Sequence, residues 1–108
     1  MSMAEHVDQI MIAKKGYHRV TGNGFGWFAR IMEVRGRRVN VCVETIEGGL
    51  LPRDISVPVM VMVYIDDDFD NHLAVEFHDS LKAYLGVNLP EWIAAEIEKT
   101  EIRELEEI

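Results

Sequence analysis

Val57-Pro58-Val59-Met60-Val61-Met62-Val63-Tyr64-Ile65 decides how this chain folds. Five of its nine residues are β-branched and none is charged. Side chains alternate along a strand, so Val57, Val59, Val61, Val63 and Ile65 share one face, and Pro58, Met60, Met62 and Tyr64 share the other. A strand with one wet face alternates apolar with polar; this one is apolar on both. The pattern predicts an inner strand shielded front and back, with Pro58 tolerated near its start.

Working outward, Trp27 to Val34 and Arg38 to Ile46 read as a hairpin turning through Arg35-Gly36-Arg37. Val39, Val41 and Val43 alternate with Arg38, Asn40, Cys42 and Glu44, one face in and one out. Tyr17 to Val20 is a candidate short strand, and Thr21 to Gly26 a glycine-rich loop. That loop lacks the following helix and the Lys-Ser or Lys-Thr pair of a phosphate-binding turn, so it reads as a plain turn. Glu47 to Asp54, punctuated by Gly48, Gly49 and Pro52, is a connector.

Met3, Val7, Ile10 and Met11 fall at helical spacing, with Ser2 as N-cap, Lys14 and Lys15 in the last turn and Gly16 as the stop. After the acidic turn Asp66 to Asp70, Leu73, Phe77, Leu81, Tyr84 and Leu85 make a helical stripe that ends at Gly86. Val75 lies off that stripe and supports a competing reading, in which Leu73 to Phe77 is a strand returning on Val57–Ile65. Pro90 opens a last helix, where Trp92, Ile93, Ile97, Ile102, Leu105 and Ile108 are scattered among glutamates. The expected fold is one α+β domain over residues 1–108. Its antiparallel meander of three to four strands carries an N-terminal helix and two C-terminal helices packed on it.

The formal charge is −8, and its layout is lopsided. Residues 1–56 hold eight Lys or Arg against six acids, a net of +2, whereas residues 57–108 hold three against thirteen, a net of −10. Such a balance disfavours nonspecific nucleic-acid binding. No apolar run is long enough for a membrane helix, and the first residues do not read as a secretory signal. With Cys42 as the only cysteine, a cytoplasmic setting is expected.

The catalytic inventory is thin: no Gly-x-Ser-x-Gly, no His-Glu-x-x-His and no Cys-x-x-Cys. No cofactor is implied. The leading expectation is therefore a small acidic partner-binding protein, regulatory or inhibitory and without catalysis. Glu98, Glu101, Glu104, Glu106 and Glu107 on the last helix would face a basic protein partner. Met60, Met62 and Tyr64 would form a soft second face that a homodimer closes. One alternative is nucleic-acid binding through Arg30, Arg35, Arg37 and Arg38 at the hairpin tip. Another is a metal-assisted hydrolase built on Asp66, Asp68 and Asp70 with His72, Glu76 and Asp79, the last three at i, i+4 and i+7 of a helix.

Overall fold

A computed structural model describes residues 1–107; Ile108, counted above with the last helix, lies outside the described residues. The strands are β1 (His18–Gly22), β2 (Phe25–Val34), β3 (Arg37–Thr45), β4 (Val59–Ile65) and β5 (His72–His78). They pair antiparallel in the order β1-β2-β3-β4-β5, a meander of five strands rather than three to four. Both uncertain segments joined the sheet, and each has a local reason. Asn23 and Gly24 take φ of 51° and 83°, the doubly left-handed turn that matches strand twist and closes β1 tightly on β2. Arg35 and Gly36, at 53° and 74°, repeat that geometry between β2 and β3.

The reading of Leu73 to Leu85 as one helix is corrected. Leu73 to Phe77 lies within β5, which pairs with β4 through Val59↔His78, Met62↔Val75 and Val63↔Ala74, with an irregularity at Val63/Tyr64. Two β-branched or aromatic residues in five, beside an unpaired edge of β4, outweigh a helical stripe of comparable length. The helix α2 begins only at Leu81 and runs to Leu85, capped by Ser80, whose Oγ accepts from the Ala83 amide at 3.0 Å. The last helix, α3, spans Leu89–Glu106 with Asn88 as its cap, so it starts one residue before the expected Pro90, which is its second residue.

At the N-terminus, α1 covers Met3–Asp8, with Ser2 Oγ accepting from the Glu5 amide at 3.1 Å. It continues as a π-helical segment over Gln9–Lys14, and Gly16 follows at φ 79°. Val7 and Met11, four residues apart and so on one helix face, are both fully buried.

The core lies on one side of the sheet. Val39, Val41 and Val43 of β3, Val59, Val61 and Val63 of β4 and Phe28 of β2 are completely buried. They meet Val7 and Met11 of the N-terminal helix, Leu81 and Tyr84 of α2, and Leu89, Ile93 and Ile97 of α3 in one cluster. Burying seven such strand side chains at about 1.5–3 kcal/mol each is the main favourable contribution to folding. Among the described residues, no helix is long and apolar enough to cross a membrane.

Candidate functional site

All the helix side chains in the core sit on the valine face of β4, so the shield expected on both faces exists on one. The register builds the second face row by row. Ala29, Cys42, Met62 and Val75 lie in line across β2, β3, β4 and β5; beside them run Ile31, Asn40, Tyr64 and His72, and then Glu44, Met60 and Phe77. Val20 of β1 pairs with Trp27 of β2 on the same side. Met60, Met62, Tyr64, Trp27 and Val75 are half-buried, while Ile31 and Phe77 are 49% and 61% exposed. The result is a broad apolar slab with no helix over it.

Polar groups on this face are tied down or marginal. The Glu44 carboxylate accepts from the Gly49 amide at 2.9 Å, and Asn40 donates to the Asp66 carbonyl. Glu33 stands directly opposite Arg38 at one end. Phe69 leans on Tyr64, ring centroids 5.1 Å apart, and Tyr64 Oη donates to Met62 Sδ at 3.4 Å. Burial, with the Glu44 charge added, pushes the Cys42 thiol up to about 11. It is a protonated, weakly nucleophilic group in this setting.

The arginine tip and the acidic helix, read separately from sequence, are neighbours. Arg35 approaches Glu101 at 3.8 Å and Arg38 approaches Asp67 at 3.7 Å. A groove of about 450 Å³ lies between them, lined by Arg37, Asp66, Asp68, His72, Glu101 and Glu104 among others. Two bases, Arg37 and Arg103, and four acids, Asp66, Asp68, Glu101 and Glu104, line it, a balance that favours a phosphate backbone less than a purely basic surface would. Arg30 does not belong to this group; its guanidinium lies 5.9 Å from the Tyr17 ring centroid, beside a different cleft.

The metal set is dispersed. His72, Glu76 and Asp79 needed a helix to align, and along an extended chain seven residues span about 23 Å. Asp66, Asp68 and Asp70 are exposed in the β4–β5 turn, where Asn71 Nδ2 donates to the Asp68 carboxylate. Among the described residues, no three His, Cys, Asp or Glu side chains are placed to hold a metal ion.

The acidic helix outruns the sheet. Its buried residues stop at Ile97, and every residue from Glu101 to Glu107 is exposed. Glu98, Glu101, Glu104, Glu106 and Glu107 therefore all face solvent, with Ile102 and Leu105, the latter 70% exposed, bare between them. Trp27, Ile31, Val75 and Phe77 were missed as companions of Met60, Met62 and Tyr64. The alternation in Phe25 to Ile31 was the available signal, but only the strand register assigns it to that face. No family model matches the chain, and no curated protein or solved structure matches it either.

Proposed function

We propose that this chain is a partner-binding protein that pairs with a second copy through the open face of its sheet and offers the acidic end of α3 to a basic partner. The one-sided cover of the sheet carries the reading. Five strands at about 4.8 Å spacing and about seven residues each make a footprint on the order of 550 Å². That footprint falls somewhat below the roughly 800 Å² per partner of a standard interface, toward the small end of stable pairs. A second sheet laid face to face excludes water from both apolar slabs at once, and a two-fold axis needs no other component. The chain's charge excess sits elsewhere, on α3 and the acidic turn, so it opposes the pairing only across screened distances.

The projecting half of α3 supports the second contact. A run of exposed glutamates flanking Ile102 and Leu105 suits a partner groove that is apolar along its floor and basic along its walls. The role is regulatory or inhibitory, occupying a basic site that would otherwise take another anion, in a reducing compartment.

Trp27 tests the pairing directly. In a Trp92→Phe variant it is the sole tryptophan. Its emission is expected blue-shifted at high protein concentration and red-shifted on dilution, as water reaches the slab. Emission independent of concentration, from a protein of single-chain mass, would overturn the pairing.

A further inference from the structure

Between the end of the N-terminal helix, the middle of β2 and the link from α2 to α3 lies a second cleft, of about 210 Å³. Its polar wall is made by Lys15, Arg30, Tyr17 and Tyr84, with Asn88 at the rim. Leu85, Val87, Leu89 and Pro90 make the apolar wall. We propose that this cleft binds a small carboxylate with an apolar body.

Charge is the first reason. The chain carries 19 acids and 11 Lys or Arg, yet no acid lines this cleft and two bases do. Arg19, Arg35, Arg38, Arg53 and Lys99 each lie near a carboxylate. Half-buried Arg30 has none among the described residues; its guanidinium rests instead against the Tyr17 ring. A guanidinium partly withdrawn from water and left without an anion is an unfavourable arrangement, which a bound carboxylate relieves through paired hydrogen bonds.

The tyrosines supply the second reason. Tyr17 and Tyr84 are 4% and 3% exposed, and their hydroxyl oxygens lie 2.6 Å apart. Two hydroxyls bring two protons, and only one fits between the oxygens. The other proton has no acceptor among the described residues, and both rings border the cleft. A buried donor beside an unpaired guanidinium calls for an acceptor carrying negative charge.

Size and wall select the ligand. The cleft is smaller than the roughly 300 Å³ at which drug-sized sites begin. The start of α3 adds little by way of donors: Pro90 has no N–H, and the Glu91 amide already donates to Asn88 Oδ1 at 3.3 Å. A free phosphate, which wants donors on several sides, would face apolar carbon along one wall. A carboxylate on a short hydrocarbon chain satisfies both walls.

Isothermal calorimetry with backbone and Arg30 side-chain NMR shifts tests this, using sodium hexanoate, hexanamide and inorganic phosphate on the intact chain. Hexanoate is expected to saturate, with shifts centred on Lys15, Arg30, Val87 and Asn88. Hexanamide and phosphate should each bind at least about tenfold more weakly. Arg30→Gln should cost hexanoate about tenfold or more, and Lys15→Glu, at an exposed position that leaves the fold intact, should weaken it in the same direction. Equal binding of hexanoate and hexanamide would overturn the proposal, as would phosphate binding as tightly as hexanoate. So would unchanged hexanoate affinity in Lys15→Glu, or shifts gathered elsewhere on the surface.

Discussion

The hydroxyls of Tyr17 and Tyr84 meet at 2.6 Å, joining residues 67 positions apart and tying the exit of the N-terminal helix to α2. Burial raises both phenols above their ordinary pKa, so the contact is a neutral hydrogen bond rather than a phenolate pair. Replacing either residue by Phe leaves one buried hydroxyl without its partner, at an expected cost of about 1–2 kcal/mol. Tyr17→Phe with Tyr84→Phe should cost less than the sum of the two, and a double-mutant cycle in urea measures the difference.

The two faces of β4 should respond differently to truncation. Val61 is fully buried against the helices, whereas Met62 is half-buried on the open face. Val61→Ala should lower stability by about 2 kcal/mol at any protein concentration. For Met62→Ala, the loss should appear mainly where the protein is concentrated enough to pair, because what it removes is interface. Denaturation midpoints at two concentrations separate them.

Cys42 should be slow to alkylate. At pH 8 a thiol with its pKa pushed to about 11 is about one part in a thousand thiolate, against roughly a tenth for a cysteine at the ordinary value of 9.0. The reaction rate with iodoacetamide should climb with pH toward 11 and level only beyond it. Linkage has a definite sign here. The folded thiol keeps its proton after the unfolded one has lost it, so this group's contribution to stability is complete below pH 9.0 and falls away between there and about 11.

Ending the chain after Thr100 should barely change stability. Nothing beyond Ile97 on α3 is buried, and the Arg35–Glu101 contact at 3.8 Å is exposed on both sides. A shift within about 0.5 kcal/mol in urea is expected. The same truncation should abolish binding of a lysine- and leucine-rich amphipathic peptide, and in the full chain that binding should weaken as salt rises. Pairing through the apolar slab should hold or tighten as salt rises, so the two contacts are separable by ionic strength alone.

How much of this could be read from the chain depended on whether a signal was local. The valine ladder of β4, the hairpin of β2 and β3, the Ser2 cap and the stop at Gly16 are written in neighbouring residues, and they appear as expected except that β4 begins at Val59, leaving Val57 and Pro58 outside the strand. β5 was ambiguous because Leu73 and Phe77 fit a helix running on to Leu81 as well as a strand, until the free edge of β4 claims them and leaves Leu81 to α2. The open face was half legible: Met60, Met62 and Tyr64 stand together, but Trp27, Ile31, Val75 and Phe77 join them only through register. Arg30 was grouped with the hairpin arginines by sequence proximity, whereas strand alternation turns it toward Tyr17. The cleft there draws on residues 15 to 90, a separation no short motif can encode.

Whether the second face of the sheet is closed by another copy is most directly measured by sedimentation equilibrium over a wide concentration range, for the native chain and for Met62→Asp. The native chain is expected to move from single to double mass as concentration rises. Met62→Asp should stay single while keeping the native far-ultraviolet circular dichroism, because a carboxylate in the middle of the slab cannot be desolvated without a partner. A native chain of single mass throughout, or a Met62→Asp protein that pairs as well as the native one, would contradict the account.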